Sequence, residues 1–354
     1  MQAIDSSSPF ANAVLQWFAH SGRHHLPWQE NPTPYRVWVS EIMLQQTQVS
    51  TVIPYFLNFM RHYPDVLSLA AAPLDDVLHL WTGLGYYARA RNLHRCAIMV
   101  STTMAGEFPR SVDALCELPG IGRSTAGAIL SLGAGTRAPI LDGNVKRVLC
   151  RYHAIPGWPD QPAVQKQLWL IAEEATPTRE FAAYTQAMMD LGATVCTRSK
   201  PTCLLCPLQN GCKARKADAV SEYPHRKPAK AIPTRYTHLL MCRTATGEVL
   251  LERRPESGIW GGLWSFPEFT DLTQVEEFCH SRLRTGHQAP EYWPVVKHTF
   301  SHFHLQITPV CVDAAAQPDA VMEPQRWLWY PLDESVAVGL AAPVKELLRR
   351  LRQN

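Results

Sequence analysis

An all-α domain followed by a smaller α+β domain is the architecture this sequence predicts, and three observations predict it. Apolar residues recur at helical spacing, broken by prolines, over residues 9–195. A polar, proline-bearing stretch, Ser221-Glu222-Tyr223-Pro224-His225-Arg226-Lys227-Pro228, then interrupts the pattern. Beyond it the period becomes that of strands. At 354 residues the chain is too long for one small core. The predicted division is a helical domain over 1–218, a linker over 219–233 and a second domain over 234–354.

The totals bound the function. A net charge of +3 is mild, so any nucleic-acid surface has to be a local patch rather than a global field. Met1 to Pro9 has neither a basic start nor an apolar core, so it does not read as a secretory signal. No apolar run approaches the roughly 20 residues that span a bilayer. A cytoplasmic protein is expected, with its ten cysteines reduced and unpaired.

In chain order, Phe10, Val14, Trp17 and Phe18 share one face of an amphipathic helix. Thr33-Pro34 has the form of an N-cap followed by proline at the first helical position. The helix predicted next, Val37 to Thr47, is mostly apolar yet carries Glu41 in its middle. A carboxyl among apolar neighbours is costly to ionise, so its pKa should rise. The alternative is a Glu on a solvated face, against which stands a single charge in that stretch. Within the helical pattern of 65–105, the segment Trp81-Thr82-Gly83-Leu84-Gly85-Tyr86-Tyr87-Ala88-Arg89-Ala90-Arg91 sets aromatic rings beside arginines. That mixture suits stacking on bases and contact with phosphates, and equally a core with a solvated rim.

Leu118-Pro119-Gly120-Ile121-Gly122-Arg123-Ser124-Thr125-Ala126 follows a helix whose spacing, Val112, Leu115, Leu118, stops at Pro119. Gly120 and Gly122 permit a tight turn that bares backbone N–H groups, with Ser124 or Thr125 near the start of the next helix. A helix-hairpin-helix over about 112–132 would cradle a phosphate. Asp142, in Leu141-Asp142-Gly143-Asn144-Val145-Lys146-Arg147-Val148, opens another helix. Taken alone, the turn is any tight turn and Asp142 any N-cap. Together, a phosphate grip with a carboxylate close behind it points to chemistry on a nucleic acid.

Residues 161–195 read as helical again and carry Gln186 and Asp190. Cys196, Cys203, Cys206 and Cys212 then follow with six, two and five residues between them. Four thiols so close together in a reduced protein read as ligands. Zinc sites usually bring two Cys-x2-Cys knuckles and only one is present, so a loop over 196–212 around a 4Fe-4S cluster fits the spacing better. Lys200, Lys213 and Arg215 give this loop a positive face. In the second domain, strands are predicted at Thr237 to Cys242, Val249 to Glu252, Val295-Val296 and His304 to Ile307, with a helix over Ala342 to Leu351.

With these stretches quoted, the chain resembles the MutY family of adenine DNA glycosylases, within the helix-hairpin-helix glycosylases. The resemblance spans nearly the whole chain. It rests on Ser40 to Thr47, Gly83 to Arg89, Leu118 to Ala126, Leu141 to Val148 and the four-cysteine loop, the last shared with endonuclease III-like enzymes. Ser257-Gly258-Ile259-Trp260-Gly261-Gly262-Leu263-Trp264-Ser265-Phe266-Pro267 and Phe300-Ser301-His302-Phe303-His304 look like the family's Nudix-like recognition domain. The resemblance implies excision of adenine opposite 8-oxoguanine or guanine in duplex DNA, one 4Fe-4S cluster, and a monomer.

Residue by residue, the resemblance implies that Glu41 protonates adenine N7 while Asp142, expected to stay ionised, stabilises the cationic sugar. Asn144 would support that site. Trp28, Leu44 and Gln186 would line the base pocket, Gln46 and Tyr86 would fill or wedge the stack, and Gly120, Gly122 and Thr125 would hold phosphates. Ser301 and His302 would read the 8-oxoguanine side. Bifunctional relatives carry a lysine nucleophile where this chain has Ser124, so an enzyme without strand cleavage is expected; Lys146 would contact phosphate or trap some abasic product. Three rivals are an endonuclease III-like lyase, a nucleotide pyrophosphohydrolase and a non-enzymatic DNA-binding protein with structural zinc. Ser124 and the second domain oppose the first. Val275-Glu276-Glu277-Phe278-Cys279-His280 lacks the Glu-rich metal helix that the second would need. The third leaves Glu41 and Asp142 unexplained.

Overall fold

The structure, a computed structural model, describes residues 8–227, 231–283, 289–300, 302–314, 326–334 and 336–353. By contacts the chain forms two units: Met1–Ala71 with Asn92–Pro228, and Ala72–Arg91 with Ala229–Asn354. The chain therefore visits the second unit early, returns, and enters it again after the predicted linker, of which 228–230 lie outside the described residues.

In the first unit, α1 (Pro9–Ser21) starts at Ser8, whose side chain accepts from the Ala11 N–H, and buries Phe10, Ala11, Val14 and Phe18. A 3-10 turn at Pro27–Gln29 buries Trp28. Helix α2 (Pro34–Leu44) is capped by Thr33 as its sequence predicts, and Tyr35, Val37, Trp38, Val39, Ile42 and Met43 are buried along it. It ends three residues short of the predicted Thr47. Gln46 turns the chain with a left-handed φ of 56°, which no residue inside an α-helix adopts. Helices α3 (Val49–His62) and α4 (Val66–Ala71) follow.

The early segment of the second unit holds α5 (Leu74–Leu80) and the first residues of α6 (Ala88–Thr103), whose remainder belongs to the first unit. Back in the first unit, α7 (Val112–Cys116) and α8 (Arg123–Ala128) flank the glycine turn, and α8 widens into a π-turn over Ile129–Gly133. Helix α9 (Gly143–His153) is capped by Asp142. The helical stretch predicted over 161–195 is α10 (Pro162–Ala175), a break, α11 (Phe181–Asp190) and a second π-turn over Leu191–Val195. Helix α12 (Lys213–Lys216) closes the cysteine loop. At Gly192 an added Cβ would lie 2.5 Å from the Asn144 Cβ, so only glycine lets the end of α11 approach α9 this closely.

In the second unit, β1 (Thr234–Thr244), β2 (Glu248–Arg253), β3 (Trp264–Ser265), β4 (Glu268–Phe269), β5 (Glu291–Tyr292), β6 (Val296–Thr299), β7 (His304–Ala314) and β8 (Trp327–Pro331) form one mixed sheet. β1 and β7 pair in parallel with Thr234 opposite His304; the other pairings are antiparallel. Between strands lies α13 (Leu272–Phe278), and α14 (Ala342–Leu351) ends the fold. One face of the sheet buries Leu240, Cys242, Leu250 and Val310 against Val275, Cys279 and Leu283. The early segment is fastened to this unit: Tyr87 Oη donates to the Leu340 carbonyl at 2.8 Å, Arg91 to the Gly261 carbonyl, and Arg253 pairs with Asp75 at 3.5 Å. Gly339 is a close approach, since a Cβ there would sit 2.7 Å from that of Leu78.

Candidate active site

A cavity of about 240 Å³ opens in the first unit, lined by Phe18, His24, Trp28, Glu41, Leu132 and Gln186 among others. Two of its walls come from the 3-10 turn and α2, the opposite ones from the α8 π-turn and α11. Trp28 is held edge-on to Phe56, with ring centroids 5.5 Å apart. The apolar run around Glu41 is the helix's buried face, and the surface that Glu41 keeps is turned to the cavity. Desolvation first, and repulsion from Asp142 second, push its carboxyl up to about 8 from an ordinary 4.5. The buried reading of Glu41 is thus the one the fold realises.

Asp142 is held differently. Its Oδ1 accepts from the Val145 N–H at 2.8 Å and its Oδ2 from Asn144 Nδ2 at 3.0 Å. Burial pushes its pKa up, while those two donors and the Arg147 guanidinium pull it back. The sequence reading expected Asp142 to stay ionised and missed the desolvation: the N-cap that orients the carboxylate also draws it under the protein surface. The Glu41 carboxyl makes no side-chain hydrogen bond among the described residues, so of the two it is the better proton holder.

The hydroxyl of Ser124 accepts from the Leu141 N–H at 3.0 Å, fixing the chain one residue before Asp142. Lys146 pairs with Asp160 at 2.5 Å, an ion pair that must open before its amine can act elsewhere. Sequence reasoning passed over Arg147. Its Nη2 donates to Asn144 Oδ1 at 2.8 Å and to the Gly192 carbonyl at 2.6 Å, and its Nε to the Cys196 carbonyl at 2.7 Å. It links the aspartate's support to the cysteine loop. The only sequence signal was a cation on the polar face of α9, which is the normal surface pattern.

The turn between α7 and α8 has the predicted form: Gly120 is left-handed at φ 79°, and Gly120, Gly122 and Arg123 are exposed. Thr125 is turned inward and buried. Leu44 is half-buried and does not line the cavity. Gln46 is exposed and left-handed; in the second unit Tyr86 is left-handed at φ 49° and 52% exposed, whereas its neighbour Tyr87 is buried. Strain at non-glycine residues with exposed side chains is frequent at contact sites. Also in the second unit, His302 stands edge-on to Phe303, with centroids 4.8 Å apart; Ser301 lies outside the described residues.

Cys196, Cys203, Cys206 and Cys212 line one small pocket with Val195, Pro201, Val220 and the side chains of Arg151 and Arg215. Among the described residues no group of three or more His, Cys, Asp or Glu is arranged to hold a metal ion. Arg151 is 2% exposed and donates to Cys196 Sγ at 3.3 Å and to the carbonyls of Thr197, Arg198 and Tyr223. A cation so deep, bonded to carbonyls and one sulfur, suits a site that carries negative charge. Four soft thiols around such a pocket fit an iron–sulfur cluster.

A family model described as the HhH-GPD superfamily base excision DNA repair protein matches residues 39–174, and one described as the NUDIX domain matches residues 238–350. The adenine DNA glycosylase of Buchnera aphidicola subsp. Acyrthosiphon pisum is 39% identical, covering 98% of this chain and 98% of its own length. The adenine DNA glycosylase of Homo sapiens is 33% identical, covering 94% of this chain and 72% of its own. Among solved structures, a thermostable thymine-DNA glycosylase is 27% identical with a TM-score of 0.54, over 59% of this chain and 95% of its own. A trapped endonuclease III–DNA covalent intermediate shares the fold at a TM-score of 0.51 and 23% identity, over 59% of this chain and 94% of its own.

Proposed function

Because the chain belongs to the adenine DNA glycosylases, enzymes of base excision repair built from a helix-hairpin-helix core and a Nudix-like domain, we propose that it excises adenine opposite 8-oxoguanine or guanine without cutting the strand. The observation that carries this is the carboxyl of Glu41, buried at the wall of a cavity on the scale of one base and beside a second, hydrogen-bonded carboxylate.

A base flipped out of the duplex enters the cavity against Trp28, at an unstacking cost of a few kcal/mol that a mispair lowers. Glu41 gives its proton to adenine N7. The bond from N9 to the sugar then breaks, its electron pair leaving with a base that is neutral once protonated. Asp142 faces the positive charge left on the sugar, and its Val145 and Asn144 donors keep it aimed there. Water adds to the sugar carbon, and its proton restores Glu41. No lysine lines the cavity among the described residues, and Ser124, a hydroxyl that cannot form an imine, accepts from the Leu141 N–H. Both support an abasic product left uncleaved.

The cysteines Cys196, Cys203, Cys206 and Cys212 would hold a 4Fe-4S cluster, which ties the loop into one rigid piece when bound. Its presence gives a brown protein with visible absorption that a thiol-reactive chelator bleaches; a colourless protein containing zinc would overturn it. Gly120, Gly122 and Arg123 would grip phosphate, Gln46 and Tyr86 would occupy the disturbed stack, and His302 would face the oxidised guanine. Among the described residues no helix is long and apolar enough to cross a membrane, and we expect a cytoplasmic monomer acting on the chromosome.

The test is single-turnover excision on duplexes holding adenine opposite 8-oxoguanine, read with and without alkali. Breaks that appear only after alkali are expected. Breaks without alkali would make the enzyme a lyase and turn attention to Lys146. Asp142→Asn should bind the mispaired duplex and release no adenine; retained excision would remove Asp142 from the mechanism.

A further inference from the structure

The cation at the hairpin is held by a ring rather than by a charge. Arg123, the first residue of α8, sets its guanidinium carbon over the Trp169 indole on α10, 4.0 Å from the ring centroid. The other cation–ring contacts among the described residues run from 4.5 to 5.5 Å. Helix α10 turns Val164, Leu168 and Ala172 inward, and Trp169 stands half-buried at the rim of that face. Its ring therefore offers Arg123 a face fixed by the packing of its helix.

Other arginines of this unit end on acceptors: Arg137 donates to Glu173 and to the Thr176 carbonyl, and Arg147 to Asn144 and to the Gly192 carbonyl. Arg123 does not; among the described residues its side chain makes no hydrogen bond and no ion pair. A guanidinium lying flat on a ring is held by one face and keeps its N–H edge free. Its charge stays unneutralised, and five donors in one plane match the oxygens of a phosphate. The space beside it is open: Gly122 and Arg123 are exposed, and a Cβ on Gly122 would meet nothing within 4 Å.

We infer that Trp169 is a positioning residue for DNA, whose ring orders Arg123 before binding so that the guanidinium meets a phosphate with its rotamer already set. This rests on the hairpin gripping phosphate. A loose arginine side chain must fix several torsions on binding, and that lost entropy is subtracted from the affinity. Stacking on Trp169 moves the ordering into the folded protein. The contact is also blind to sequence, since a phosphate carries no base information. An enzyme that searches duplex DNA for a rare mispair gains from a grip of that kind, which serves equally at every position it visits.

The test is the affinity for an undamaged duplex, which offers no mispaired adenine, measured over a series of salt concentrations. The proteins compared are the wild type, Trp169→Phe, Trp169→Leu, Arg123→Ala and the variant combining Arg123→Ala with Trp169→Leu. Arg123→Ala should weaken binding and lower the salt slope by about one, the mark of one lost phosphate contact. Trp169→Leu, which keeps apolar bulk and loses the ring, should weaken binding about two- to fivefold at low salt. Trp169→Phe should restore most of that loss, and Trp169→Leu should cost nothing further once Arg123 is alanine. A loss that persists in the Arg123→Ala background, or equal binding by the leucine and phenylalanine variants, would mean that Trp169 only packs α10 and would overturn the inference. If thermal melting shows Trp169→Leu unfolded, Trp169→Met fills the space with a flexible chain and no ring, and is held to the same outcomes. An Arg123→Ala protein with wild-type affinity and salt slope would instead overturn the phosphate grip itself, on which the inference stands.

Discussion

Glu41 and Asp142 differ less in burial than in their hydrogen bonds, and that difference underlies the two roles proposed for them. Glu41 binds its proton more tightly in the folded protein than in the unfolded chain, where its pKa is ordinary. The stability tied to that proton is fully present below about pH 4.5 and is lost as the pH rises toward 8. Glu41→Gln removes the titration. Its stability should match the wild type in acid and exceed it increasingly toward pH 8, by on the order of a few kcal/mol at the top and with a higher melting temperature there, while excision falls about 100-fold or more. Parallel melting profiles across this range would refute the buried proton. This residue was legible in the sequence because one carboxyl stood alone in an apolar run. Asp190 and Arg147 were not, since their partners lie far along the chain: Arg23 is 167 residues from Asp190, and Cys196 is 49 from Arg147. No local pattern distinguishes such a charge from one facing water.

At the scale of elements, the site depends on helix ends. Asp142 caps α9, Gln186 and Asp190 sit in the last turns of α11, and a π-turn follows each of α8 and α11. Wider turns of this kind re-aim side chains and recur at functional sites. The sequence showed helix existence and the Thr33 and Pro119 boundaries, because caps and prolines are local chemistry. It overran α2 into Gln45-Gln46-Thr47, where the glutamines yield to tertiary demands, and fused α10 with α11 across Thr176-Pro177-Thr178, a break that the proline itself marks. Glycine at 192 is one such demand. Gly192→Ala should push Asn144 off Asp142, cost about 1–3 kcal/mol and slow excision. In Gly143→Ala the added carbon meets nothing within 4 Å, although it adjoins Asp142, so its melting temperature should stay at the wild-type value. Equal effects from the two would show that the close approach at 192 is not what holds Asn144.

The whole molecule is less modular than a linear domain map suggests. Helical spacing over 65–105 gives no hint that 72–91 closes the core of the other unit, because burial against a sheet and burial against helices leave the same apolar stripe. A chain ending at residue 227 should therefore melt well below the full protein and bind an apolar dye, as Leu78 and Trp81 lose cover. A truncated chain as stable as the full one would show that this segment needs no partner. The bond between Tyr87 and Leu340 also sets a clock. Their separation is 253 residues, and a ribosome adding roughly 5–20 residues per second needs about 13–50 s to cover it. Throughout that interval the nascent chain carries an unfinished apolar segment between two stretches ready to fold, so its exposure to chaperones during synthesis is written into the connectivity itself.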